Sequence, residues 1–208
     1  MTQVGPVIAG LTGSIGMGKS TTAQMFRDAG IPVHDADATV HELYAGEAVP
    51  LVEAEFPGVT VDGTIDRTIL RERVVGNEAA MKRLEAVIHP LVHQRELAFR
   101  DRIEQDRQRL AVIDHPLLFE TGGAARVDHI IVVTADRDIQ RARVMARPGM
   151  TEDVFESILA RQVPDAEKRG RADTIIDTGL GVDHAREAVA QLIATLTALP
   201  DAGQSKDD

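Results

Sequence analysis

The sequence predicts an α/β protein: a doubly wound parallel sheet with an inserted helical lobe. Three observations carry that expectation. Short apolar runs at 7–11, 110–114, 130–133 and 174–177 have the length and content of buried strands. The first is followed by a glycine-rich turn, a helical stretch and another short strand, the βαβ pattern of parallel strands. Residues 38–109 then break the alternation, with helical periodicity and almost no strand-like runs.

Taken in order, Val7-Ile8-Ala9-Gly10-Leu11 forms the first strand, and the turn 12–18 leads into a helix over 19–29 with Gly30 as its C-cap. Pro32 opens a second short strand over 31–35. Apolar residues at helical spacing mark helices over 64–75 and 78–88, and a highly charged amphipathic helix over 90–109. The helical lobe is placed at about 60–109, leaving about 5–37 and 110–200 for the sheet core. Strands resume at 110–114, ending in Asp114, and at 130–133; a helix over 136–146 stops at Pro148-Gly149. Thr151 caps the next helix, with Glu152 and Asp153 in its first turn, and 143–170 is expected to form a mobile lid. After the last strand, Val189, Leu192, Ile193 and Leu196 mark the apolar face of a closing helix, and 201–208 reads as a frayed tail.

Composition narrows the function. The 208 residues carry a formal net charge of −10 and are 43% hydrophobic, with no cysteine and a single tyrosine. Disulfides and cysteine-based zinc sites are excluded. A general nucleic-acid partner is not expected, because it would need a basic surface. The start Met1-Thr2-Gln3-Val4-Gly5-Pro6 is not a signal peptide, and no apolar run approaches the roughly 20 residues of a membrane helix. The expectation is a soluble cytoplasmic protein without a membrane partner, whose ligand is small.

The motif Gly13-Ser14-Ile15-Gly16-Met17-Gly18-Lys19-Ser20 fits G-x-x-x-x-G-K-[ST] at every fixed position, between a strand and a helix. Its glycines let the backbone wrap phosphate oxygens, and the helix that follows offers its positive dipole end. Lys19 can reach the β- and γ-phosphates, and Ser20 can offer its hydroxyl to Mg²⁺. Asp35-Ala36-Asp37 admits two readings: a base for an attacking hydroxyl, or a turn with a helix cap. Asp114 likewise fits either a water-mediated Mg²⁺ contact or a plain hydrogen-bonding role. A guanine-reading Asn-Lys-x-Asp is absent, since the single asparagine, Asn77, precedes Glu78. Arginines flanking Pro148-Gly149 favour a nucleoside or metabolite kinase with a closing arginine lid.

The ordered set of short motifs resembles the dephospho-coenzyme A kinase family. The resemblance lies in the stretch from Gly10 to Thr21, Asp35-Ala36-Asp37 with His41 four residues on, Asp66-Arg67 with Leu70, Leu84-Glu85, His89-Pro90, Pro116-Leu117-Leu118-Phe119-Glu120, Arg143 and Arg147, Gln162, and Ala172-Asp173 with Ile176. It spans about 7–197. Ser14 stands where the family commonly has glycine, and Asp177-Thr178 where it usually has Asp-Asn.

The resemblance implies a P-loop kinase fold with a helical substrate lobe and a lid. It also implies ATP and Mg²⁺ as cofactors, with dephospho-coenzyme A phosphorylated on its ribose 3′-hydroxyl. Asp37, Lys19 and Arg143 are the implied catalytic set. Gly13, Ser14, Ile15, Gly16, Met17, Gly18, Lys19, Ser20, Thr21, Arg143 and Arg147 would hold ATP, with Ser20 on the metal. Asp35, Asp37, Arg67, His89, Pro116, Leu117, Leu118 and Glu120 would face the substrate. A monomer or small homo-oligomer is expected.

Overall fold

The computed structural model describes residues 5–198; the 201–208 tail lies outside the described residues. In chain order, β1 (Val7–Thr12) leads through the glycine-rich loop to α1 (Lys19–Asp28) and β2 (Val33–Asp35). Then follow α2 (Ala36–Tyr44), α3 (Val49–Glu55), β3 (Thr60–Val61), β4 (Thr64–Ile65), α4 (Arg67–Val74) and α5 (Glu78–Gln105). The chain returns through β5 (Leu110–Asp114), β6 (His129–Thr134), α6 (Arg137–Met145), α7 (Glu152–Leu159), α8 (Asp165–Gly170), β7 (Thr174–Asp177) and α9 (Val182–Ala198). No helix among the described residues is long and apolar enough to cross a membrane.

Two compact units divide at 34/35 and 102/103. The first holds a sheet of order β2-β5-β1-β6-β7, in which β1 runs parallel to both β5 and β6, and β6 to β7. The chain leaves β1 toward one edge and later fills the other, so strand order reverses at β1. Ligands of open α/β sheets bind at such a point, outside the carboxyl ends of the strands. Alternation along the strands sorts the side chains. Ala9, Leu11, Leu110, Val112, Ile131 and Val133 share a buried cluster with Met25 and Phe26 of α1 and Val189, Leu192 and Leu196 of α9. Gly10 faces the other way, where a Cβ would lie 2.9 Å from Leu118 Cδ2.

The second unit is helical and has its own core, in which Leu43, Ala48 and Val52 join Leu70, Val74, Leu84 and Ile88. It begins at Asp35, ahead of the boundary near residue 60 that periodicity suggested, because α2 and α3 give their apolar residues to this core. Residues 64–65, expected as helix, pair with 60–61 in a hairpin. Its turn, Asp62-Gly63, has φ of 48° and 78°, as a tight hairpin connection requires. The helix starts only at Arg67, where the Asp66 carboxylate accepts from the amides of Thr68 and Ile69. α5 continues through Pro90, where two helices were expected. Pro90 is exposed, so the carbonyl that loses its partner can be hydrated.

His129 Nε2 lies 2.8 Å from Thr174 Oγ1 between β6 and β7. Burial lowers its pKa, against an opposing pull from Asp173. The unfolded chain therefore binds this proton more readily, and stability falls as pH drops below the unfolded value of about 6.5. His129→Gln should flatten the loss of urea stability between pH 7.5 and 5.5 relative to wild type. Parallel pH curves for the two proteins would contradict this.

Candidate functional site

The loop between β1 and α1 is held by its carbonyls. Gln140 Nε2 donates to Ile15 O at 2.7 Å, and Thr178 Oγ1 donates to Met17 O at 2.8 Å. Arg143 Nη1 approaches Gly16 O at 3.5 Å while donating to Thr178 Oγ1 at 2.8 Å, and its Nη2 donates to Thr178 O at 2.8 Å. The Ile15 amide donates to Gln162 Oε1 at 3.1 Å. Those of Gly16 and Gly18 have no acceptor among the described residues. The tethers thus turn consecutive carbonyls into the protein and leave amides of the loop to meet an anion. Gly16 has φ of 79°, and a Cβ there would lie 2.6 Å from Val144 Cγ2 and 2.9 Å from Gln140 O. Only glycine allows α6 to approach this closely.

Lys19 Nζ lies 2.5 Å from Asp114 Oδ1. Parallel pairing places Asp114 opposite Leu11 at the carboxyl end of β5, and its carboxylate is almost fully buried. Ser20 and Thr21 are exposed in the first turn of α1. No cluster of three or more His, Cys, Asp or Glu residues that could cage a metal occurs among the described residues. Mg²⁺ bound with phosphates needs only one or two protein oxygens and completes its shell with phosphate and water. The Ser20 hydroxyl, next to Lys19 and its carboxylate partner, fits that demand.

Beside the loop lies a cavity of about 290 Å³. Met25, Val182 and Ala185 give it an apolar wall, and Thr21, Arg143 and Arg147 a polar one. Arg147 is exposed at its rim, whereas Arg143 is turned onto Thr178 and the loop. Thr178 was missed as a site residue in the sequence. It connects to Gly16 and Met17 only once β7 is laid beside β6.

Within Pro116-Leu117-Leu118-Phe119-Glu120 the residues separate. Pro116 O accepts from Thr12 Oγ1 at 3.2 Å, Leu118 is buried beneath β1, and Leu117 is exposed. Glu120, expected at the substrate, holds the backbone at Val163. Its Oε1 accepts from Val163 N at 2.8 Å and lies 3.0 Å from Nζ of the fully buried Lys168. Burial pushes the Glu120 carboxyl up, but the amides of Val163 and Glu120 itself, with Lys168, outweigh it and hold it below the usual value. Gln162, the next residue, holds Ile15, so 162–163 is fastened on two sides. Gln140 and Gln162, which both meet Ile15, lie outside the loop motif, and a pairing between residues this distant has no local signal.

In the helical unit, Asp35 takes the cap: its Oδ1 accepts from Ala38 N at 2.9 Å. Asp37 is exposed in the first turn of α2. Arg67 Nη1 contacts His41 Nε2. His89 is exposed on α5, and Arg95 Nε donates to Glu47 Oε1 at 3.1 Å.

The parallel sheet, the strand–loop–helix and its outward amides define a P-loop kinase fold. A family model described as dephospho-CoA kinase matches residues 7–183, and the chain belongs to that family. A dephospho-CoA kinase of Mesorhizobium japonicum is 59% identical over 91% of this chain and 96% of its own. One of Brucella melitensis is 52% identical over 94% and 98%. Among solved structures, a protein of Thermus thermophilus superposes with a TM-score of 0.82 at 32% identity, covering 92% of this chain and 97% of its own. A shikimate kinase of Bacteroides thetaiotaomicron, 17% identical with a TM-score of 0.53 over 91% of this chain and 98% of its own, shares the fold.

Glu120→Gln should destabilise the protein by about 3 kcal/mol, because Lys168 is left charged and buried without its counter-ion. The urea midpoint measures this, and a loss within error would remove the anchor role. The stabilisation from Glu120 is present above its unfolded pKa of about 4.3 and is lost as pH falls through the lower folded value.

Proposed function

We propose that this chain transfers the γ-phosphoryl group of ATP to the ribose 3′-hydroxyl of dephospho-coenzyme A, giving coenzyme A and ADP. The observation that carries the reading is the loop whose carbonyls are tethered inward and whose Gly16 and Gly18 amides have no internal acceptor, in a chain of this family. Those amides and the start of α1 receive the phosphates. Lys19 shares its charge between Asp114 and the β- and γ-phosphates, stabilising the charge that develops on the transferring group. Mg²⁺, held through the Ser20 hydroxyl, neutralises phosphate charge when bound. Arg147 acts from the lid. Arg143 positions the loop through Gly16 and Thr178, which makes its catalytic contribution one of holding as well as charge. The cavity lined by Met25, Thr178 and Val182 suits the adenine of ATP, with an apolar wall and backbone groups at its edge.

The acceptor belongs to the helical unit. Asp35 is committed to its cap, which leaves Asp37 to orient the 3′-hydroxyl and take its proton. The hydroxyl oxygen bonds to the γ-phosphorus, the bond to the bridging oxygen breaks, and ADP departs. Arg67 and His89 lie on the same unit and serve the substrate. Pro116, Leu117 and Leu118 shape the strand end near Thr12 and Gly10. On this reading the enzyme is cytoplasmic, and a monomer or small homo-oligomer.

A coupled assay should show ADP release that requires dephospho-coenzyme A, ATP and Mg²⁺ together. Absence of turnover by folded protein would overturn the reading. Asp37→Asn should keep ATP affinity and lower kcat by about 10²–10⁴-fold, the usual contribution of a general base. A variant with near wild-type kcat would remove Asp37 from that role.

A further inference from the structure

Two glutamines grip the Ile15 peptide of the loop, and they use opposite ends of their carboxamides. Gln140, almost fully buried, donates its Nε2 to Ile15 O at 2.7 Å. Gln162 meets Ile15 N at 3.1 Å. A backbone N–H can only donate, so the atom that Gln162 turns toward it is the acceptor Oε1. Its Nε2, which carries two N–H donors, has no acceptor among the described residues. Gln162 is half-buried, so these donors stand against the loop and still reach its open side.

The side chain is fixed at its root as well as its tip. Gln162 N donates to Leu159 O at 3.0 Å, just past the end of α7. The next amide, Val163 N, donates to Glu120 Oε1 at 2.8 Å. A reversed carboxamide would set its own N–H groups against Ile15 N–H, so the orientation has one favourable sense. The donors of Gln162 are thus aligned before a ligand arrives, and little side-chain entropy is left to lose on binding.

The cavity identifies which phosphate they meet. It touches the loop at Gly18 and α1 at Thr21 and Met25, and none of residues 13–16 lines it. A nucleotide with its base in that cavity enters the loop from the Gly18 end. Its phosphates then run toward Gly16 and Ile15, with the γ-phosphoryl group farthest from the base. We propose that Gln162 is a further phosphate-binding residue, whose Nε2 donates to an oxygen of the γ-phosphoryl group of ATP. This rests on the proposed binding of ATP at the loop. Gln162 then has two functions through one carboxamide: Oε1 holds Ile15, and Nε2 distinguishes the triphosphate from the diphosphate.

Calorimetry of the full chain with Mg²⁺ and either ATP or ADP, without an acceptor, tests this. Gln162→Glu keeps an oxygen for Ile15 N and removes the donor. Gln162→Met removes both without adding charge, and it decides the matter should Gln162→Glu fail to fold. Each should raise the ratio of the ATP to the ADP dissociation constant about tenfold or more, the loss expected for a hydrogen bond to a charged group. The kcat with dephospho-coenzyme A should fall as well, because the contact lies on the group being transferred. Equal weakening of the two nucleotides would make Gln162 a tether of the loop alone, and unchanged affinity for both would remove it from the site. Either result overturns the proposal. A raised ratio in the variants, with no turnover of dephospho-coenzyme A by wild type, would keep the role of Gln162 and overturn the acceptor reading. Wild-type protein that binds neither nucleotide would overturn both.

Discussion

Backbone amides can bind phosphate only if the loop carrying them is fixed by other groups, and this requirement organises the first unit. Gln140, Arg143 and Thr178 reach Ile15, Gly16 and Met17 through their carbonyls. These tethers come from α6 and from the turn after β7, so they exist only when β6 and β7 lie in order beside β1. The hydrophobic cluster beneath α1 and α9 holds those strands in place. Burial energy is thereby converted into the rigidity of a polar loop that would otherwise repel itself, its dipoles all pointing one way.

The overall charge sharpens the same point. A chain of net charge −10 gives no long-range attraction to polyanionic ligands. Attraction has to come from short-range groups, and the structure concentrates them. Lys19 is poised against Asp114 at the loop, Arg147 stands at the cavity rim, and Arg67 stands against His41 in the helical unit. Salt bridges on exposed surfaces, such as Arg141 with Glu152, absorb much of the remaining positive charge and contribute little to stability.

The segment that ends at Gln162-Val163 links two mechanical duties. Gln162 holds the loop and Val163 is held by Glu120, whose counter-ion is the buried Lys168. The helix α7 is thus followed in the chain by a point attached to the phosphate loop. Pro148 and Gly149, with φ of 74° at the glycine, stand at the other end of this segment.

Much of the fold was legible because the information is local. The strands at 7–11, 110–114, 130–133 and 174–177, the loop motif and the Thr151 cap depend on neighbours in sequence, and the structure keeps them with shifts of a residue or so. Local propensity went astray in the helical unit. There the Asp62-Gly63 turn converted an expected helix start into a hairpin, and exposure let α5 pass through Pro90. Which aspartate caps and which is left exposed was open in the sequence, and helix geometry assigned the cap to Asp35. The pairings of Arg143 with Thr178, Glu120 with Val163 and Ile15 with Gln162 join residues dozens to more than a hundred positions apart. Motif spacing thus established a phosphate-binding kinase, because glycine conformation and strand periodicity are short-range properties. Only the folded sheet could decide which side chains hold the loop, since those contacts arise from strand order.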